Sequence, residues 1–148
     1  MPLDEALARL LAQARPPMES EWVSTFDADD RVLAQDVVAQ MTVPPLDNSA
    51  MDGYAVRCAD CAAAGAALPV SQRIAAGSVG QPLAPGTAAR IFTGAPVPAG
   101  ADAVVMQEDT EALDDGKHVR IRVAPKPGQA IRRAGEDVAR GAVVLAKG

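Results

Sequence analysis

From Pro44 to Gly128 short apolar runs alternate with clusters of glycine and proline. That punctuation limits the fold more than any other feature of the chain. A helix interior loses about 1 kcal/mol for each glycine and about 3 kcal/mol for each proline relative to alanine. Segments cut this way are therefore read as short strands joined by tight turns. "GYAVR" and "ARIFTG" are strand-like, "APVPAGA" is a rigid loop, and "AVVMQED" is a further strand. "DDG" followed by "KHVRIRV" gives the second arm of a hairpin, with Val119, Ile121 and Val123 alternating. "CADCAAAGAAL" is the exception, read as a short helix.

The flanks differ. Leu3, Leu7, Leu10, Leu11 and Ala14 recur at spacings of three and four, with Asp4 and Glu5 in the first turn and Pro16-Pro17 as a stop. This is an amphipathic helix. A second helical stretch is expected from about 28 to 34, turning Val32 and Leu33 inward, and "DVVAQMTVP" is extended. After "PKPGQ", the strand "AVVL" needs a partner and is expected to return to the amino-terminal helix and strand. The fold class is thus α+β and predominantly β: a β-rich lobe over 45–137, and a discontinuous helical and strand lobe from 1–44 and 138–148.

Hydrophobic residues make up 49% of the 148 residues but aromatic ones only 3%, so the core must be built from Val, Leu, Ile and Ala. The formal net charge of −5 argues against nucleic acid as a partner, because such a surface needs a basic face. An anionic small molecule stays open, since a few arginines can focus a local field. No charge-free apolar run suits a signal peptide or a membrane span, so the expected setting is cytoplasmic. Cys58 and Cys61 form a lone CxxC with His118 as the single histidine, too few ligands for zinc, and are read as structural thiols.

Three constellations could carry chemistry. "PPLDNSAMDGYAVR" sets Asp47, Asn48, Ser49 and Asp52 before a strand. Asp52-Gly53 is a favoured hairpin dipeptide, and residue chemistry alone favours that turn. The alternative is a carboxylate beside open glycine backbone, approachable by a hard cation such as Mg²⁺ or by a substrate hydroxyl. Thr93 ends "RIFT" ahead of a Gly94 turn, where it caps the turn or donates to an anion. Arg132 and Arg133 in "IRRAGEDV" form a self-paired surface turn, or else a bidentate partner for phosphate or carboxylate.

"PPLDNSAMDGYAVR", "RIFTGAPVPAGADAVVMQEDT" and "IRRAGEDVARGAVVLAKG" occur in that order, and in order and spacing the chain resembles the MoeA family over its whole length. These are molybdopterin molybdenumtransferases, related to the E domains of gephyrin and its plant counterpart. The resemblance implies a reaction in which molybdenum from molybdate enters adenylylated molybdopterin with release of AMP. The implied cofactor is Mg²⁺, with Zn²⁺ as the alternative. It implies Asp52, from the "MDGYA" motif, as a catalytic and metal-positioning carboxylate, and Thr93, from "TGAP", as a hydrogen-bond donor to substrate oxygens. It implies a homodimer with a cleft shared between subunits, and a molybdopterin adenylyltransferase as a partner. In such proteins this region is followed by a larger α/β domain, so the 148 residues are expected to be an amino-terminal portion, inactive alone. The rival expectation is a non-catalytic dimerisation or scaffolding module.

Overall fold

Small side chains and frequent turns build a sheet whose strands are short and closely spaced. The computed structural model describes residues 1–15 and 19–148; the Pro16-Pro17 stop lies outside them. Helix α1 covers Leu3–Leu11 and is followed by strands β1 (Val37–Val38), β2 (Asn48–Ser49), β3 (Gly53–Val56), β4 (Ala67–Ile74), β5 (Ala88–Ile91), β6 (Ala103–Met106), β7 (Thr110–Leu113), β8 (His118–Ile121), β9 (Ile131–Arg132) and β10 (Val143–Leu145). Six strands form one sheet in the order β6-β3-β5-β4-β8-β7, while β1 pairs with β10 and β2 with β9. Only β4 and β5 run parallel in the six-stranded sheet; its other neighbours are antiparallel. The α+β, predominantly β class holds.

Strand β3 is buried along its whole length. Its alternate side chains enter two clusters, as the two-residue period of a strand requires. Tyr54 and Val56 pack with Val105, Val119 and Ile121, while Ala55 packs with Ile74, Ile91 and Val104. Alanines 55, 88, 89, 95 and 103 are fully buried, which accounts for the paucity of aromatic residues. Gly53 meets the same demand in extreme form: a Cβ there would stand 2.0 Å from the Val105 carbonyl oxygen.

The chain divides into two units, residues 1–37 with 145–148, and residues 38–144. In the first, the Lys147 N–H donates to Asp36 at 2.7 Å and the Gly148 N–H to the Leu33 carbonyl at 3.1 Å. Helix α1 forms as expected, with an Arg9–Glu5 pair one turn apart at 2.7 Å, but its leucines are exposed. In the second unit the Ala39 N–H donates to the Ala142 carbonyl at 2.9 Å. The "AVVL" run thus pairs with the extended segment after Asp36.

Several expectations fail for local reasons. No helix spans 28–34: a single 3₁₀ turn covers Thr25–Asp27, Asp30 adopts φ 60°, and Val32 is exposed. The "CADC" run is one 3₁₀ turn, Cys58–Cys61, and the following residues enter β4. That strand escaped sequence reading because Pro69 lies inside it and a register shift between Val70 and Gln72 breaks its alternation. It changes partner at that point, pairing with β8 through Ala67–Pro69 and with β5 from Val70 onward. The hairpin arm opposite β8 is β7, and the strand expected in "AVVMQED", β6, pairs with β3. Val119 and Ile121 point inward as expected, whereas Val123 is exposed.

Gly53→Ala is expected to lower stability by about 3 kcal/mol, the upper range for overpacking against unyielding backbone. Gly77→Ala, where a Cβ meets nothing within 4 Å but φ is +80°, should cost only about 1 kcal/mol. Equal losses in chemical denaturation would contradict the close approach of β3 to β6.

Candidate functional site around Asp52

The site grows out of the end of β3. Asp52 immediately precedes the strand, and its carbonyl accepts the Gln107 N–H at 3.0 Å, where β6 ends. Gly53 is not the positive-φ residue of a hairpin turn; it is inside β3 and serves close approach to Val105. The reading of Asp52-Gly53 as a hairpin dipeptide is therefore overturned. So is the notion of open glycine backbone, since that side faces the Val105 carbonyl.

Strand β5 supplies the other half. It runs antiparallel to β3, with Gly53 opposite Ile91, and carries Thr93 just beyond its end. The Asp52 Oδ1 accepts both the Thr93 N–H at 2.8 Å and the Thr93 hydroxyl at 2.7 Å. Gly94, at φ +80°, turns the chain away, and its N–H donates to the Ser49 carbonyl at 2.9 Å. The structure thus brings together the two residues singled out in the sequence. These bonds hold the Asp52 carboxyl below the ordinary carboxylate range, Thr93's backbone N–H contributing most, then its hydroxyl, with the nearby Arg90 charge adding less. Such a carboxylate stays ionised and is a weak proton acceptor. Its Oδ2 makes no hydrogen bond among the described residues. Thr93, in turn, spends its single hydroxyl proton on Asp52, so toward a ligand it presents lone pairs rather than a donor.

Asp47, Asn48 and Ser49 hold the loop rather than the ligand side. The Ser49 hydroxyl donates to the Met51 carbonyl at 2.6 Å, and the Val97 N–H donates to the Asp47 carbonyl at 2.8 Å. Asp47 reaches across to the segment after β9, accepting the Ala134 N–H at 2.8 Å and an Arg133 guanidinium N–H at 2.5 Å. Those contacts, the Ala134 bond foremost, also lower its carboxyl pKa. Arg132 pairs with Glu136 and Asp137 of its own turn. The self-paired reading of "IRRAGEDV" is correct for Arg132, while Arg133 is a long-range tie to Asp47.

Arg90, whose charge acts on Asp52, and Arg73 next to it on β4 are not among the residues singled out in the sequence. Arg90 of β5 donates to the Gly53 carbonyl at 3.0 Å and to the Gln107 side chain at 2.9 Å, and lies over the Tyr54 and Phe92 rings. Arg73 of β4 is its register partner. The signal was present in "QRI" and "ARIF", each with a charged residue before a buried isoleucine, but β4 had to be recognised first. Cys58 and Cys61 behave as structural thiols: both are unpaired, and burial pushes each thiol up to about 11. An open apolar groove lined by Leu46, Val79, Pro82 and Val97 does not include Asp52. No helix among the described residues is long and apolar enough to cross a membrane.

Comparison with known proteins places this geometry in context. The family description "MoeA N-terminal region (domain I and II)" matches residues 1–148. The chain is 43% identical to a molybdopterin molybdenumtransferase of Haemophilus influenzae over 99% of its length and 36% of the relative's. It is 46% identical to molybdopterin molybdenumtransferase 2 of Mycobacterium tuberculosis, covering 35% of that protein. Among solved structures, a molybdopterin biosynthesis moeA protein of Pyrococcus horikoshii superposes with a TM-score of 0.86 at 38% identity, over 99% of this chain and 40% of that one. The chain therefore spans about a third of the length of the curated relatives it matches.

The depressed carboxyl pKa has a sign that stability measurements can read. A group with a folded-state pKa below its unfolded value of 3.8 stabilises the fold above that value, and the contribution is lost as pH falls through the folded pKa. The thermal midpoint of Asp52→Asn should therefore fall less than that of the parent on acidification below about pH 4. Parallel acid limbs for the two proteins would show that the Thr93 bonds do not favour the ionised form.

Proposed function

Because the chain belongs to the MoeA N-terminal family along its whole length, we propose that it supplies the carboxylate half of a molybdenum-insertion site. The reaction is transfer of molybdenum from molybdate into adenylylated molybdopterin, with AMP released. The single observation that carries this reading is the double hydrogen bond from Thr93 to one oxygen of Asp52. It orients an ionised carboxylate and leaves the second oxygen available, the arrangement expected of a group that meets a cation or fixes a nucleophile rather than one that shuttles protons.

The donor set suits Mg²⁺ better than Zn²⁺. Among the described residues no three His, Cys, Asp or Glu side chains cluster to hold a metal. Mg²⁺ is commonly held by one or two carboxylates together with substrate phosphates and water. Asp52 Oδ2 fits that part. Zn²⁺ asks for three or four protein ligands of the nitrogen, sulfur or carboxylate kind. When bound, Mg²⁺ would neutralise charge on the phosphoanhydride. Asp52 would hold the cation by Oδ2, Thr93 would fix the carboxylate's orientation, and Gln107 and Arg90 would keep the backbone at residues 52 and 53 in place. Cleavage joins one oxygen nucleophile to phosphorus as the anhydride oxygen departs with the other phosphate, so AMP leaves as a separate product.

The remaining groups would come from outside this chain. We infer that it works in the cytoplasm as part of a homodimer with a cleft shared between subunits, receiving substrate from a molybdopterin adenylyltransferase. The rival role, a dimerisation or scaffolding module, gives no reason for an oriented, half-free carboxylate. In the whole protein, Asp52→Ala should reduce molybdenum insertion at least about a hundredfold, and Thr93→Val about tenfold, a loss of one charge-assisted bond, with both variants still folding cooperatively. Insertion that survives both substitutions would favour the scaffolding role. The 148-residue chain alone should show no turnover with adenylylated molybdopterin, molybdate and Mg²⁺.

A further inference from the structure

Asp52 precedes β3 and Thr93 lies just beyond β5, outside the strand pairing, which stops at Gly53 opposite Ile91. Two bonds from Thr93 to a single carboxylate oxygen therefore depend on how the strand ends are aligned. One side chain reaches across those ends. Arg90 stands opposite Tyr54 in the register. Its Nη1 donates at 3.0 Å to the carbonyl of Gly53, the residue after Asp52, and its Nη2 donates to the Gln107 Oε1 at 2.9 Å. Gln107 closes the circuit, since its own N–H donates to the Asp52 carbonyl at 3.0 Å. The same guanidinium lies over the Phe92 ring, 4.6 Å from its centroid, and over Tyr54 at 5.2 Å. Phe92 directly precedes Thr93, and its N–H donates to the Ile74 carbonyl of β4 at 3.3 Å. Arg90 makes no ion pair among the described residues, so both hydrogen-bond partners of its fork are neutral.

A guanidinium presents its donors at fixed angles in one plane, whereas an ammonium is a point charge on a flexible stem. Two terminal nitrogens bonded to β3 and to the end of β6, with the plane resting on a ring of β5's continuation, define position as a charge alone does not. The charge itself counts for less, because the Thr93 bonds outrank it in keeping Asp52 ionised. We propose that Arg90 is a positioning residue of the insertion site: its fork and ring contacts, not its charge, align the ends of β3, β5 and β6 so that Thr93 reaches Asp52. That role goes beyond steadying the backbone at residues 52 and 53, since it makes the placement of Thr93 depend on Arg90 as well. It rests on the insertion reading only for what the Asp52–Thr93 pair does.

The test follows amide hydrogen exchange of Thr93 by NMR, with Ala55 inside β3 as the internal reference. Arg90→Gln should speed exchange at Thr93 relative to Ala55 about tenfold, the worth of one net hydrogen bond. Arg90→Lys, which keeps the charge, should speed it nearly as much. Arg73→Gln removes the other guanidinium over Phe92 and should leave Thr93 as in the parent. In the whole protein Arg90→Lys should lower kcat for insertion with KM unchanged, and should cause no further loss in an Asp52→Ala background. Parental exchange at Thr93 in Arg90→Lys, a rise shared equally by Ala55, an equal rise in Arg73→Gln, or additive losses of activity overturn the proposal. Insertion that survives Asp52→Ala sinks the insertion reading instead and leaves the exchange result standing.

Discussion

The end of the sheet that carries Asp52 depends on how near β3 lies to β6. With a hydrogen in place of a side chain, Gly53 lets the Val105 carbonyl come where a Cβ would stand only 2.0 Å away. That approach brings Gln107 over the Asp52 carbonyl and seats β3 between β5 and β6 with both faces buried. Once β3 is so fixed, the antiparallel register to β5 decides the rest. Gly53 opposite Ile91 sets Thr93 beside the Asp52 carboxylate, where its N–H and hydroxyl reach one oxygen.

A chemical consequence follows from this geometry. Hydrogen bonds that favour the charged form of Asp52 make it a steady anion and a poor base. An anion held at a strand end is balanced locally by Arg90, which is tied into the backbone rather than left mobile. The balancing positive charge comes from the neighbouring strand β5, not from nearby sequence. Arg133, itself part of the "IRRAGEDV" motif, serves instead to anchor Asp47 from 86 positions away.

What could be read from sequence was what depends on local pattern. Helix α1 follows from its leucine spacing, and β3, β5, β6 and β8 follow from apolar runs bounded by turns. Asp52 and Thr93 could be named from motifs, though neither their direct contact nor Gly53's true purpose could be. Both belong to the register between strands, which no local window encodes. Strand β4 was hidden by Pro69 and its change of partner, and with it went Arg73 and the stack on Phe92. The expected helix over 28–34 failed because apolar residues at helical spacing do not suffice when Asp29-Asp30 favour a turn.

The most direct measurement is the titration of the Asp52 carboxyl carbon by ¹³C NMR in the parent protein and in Thr93→Val. An oriented anion held by Thr93 has a midpoint below the ordinary value of 3.8, and the substitution moves it upward. A midpoint at or above 3.8 in the parent, unmoved by Thr93→Val, would contradict the role assigned to the pair.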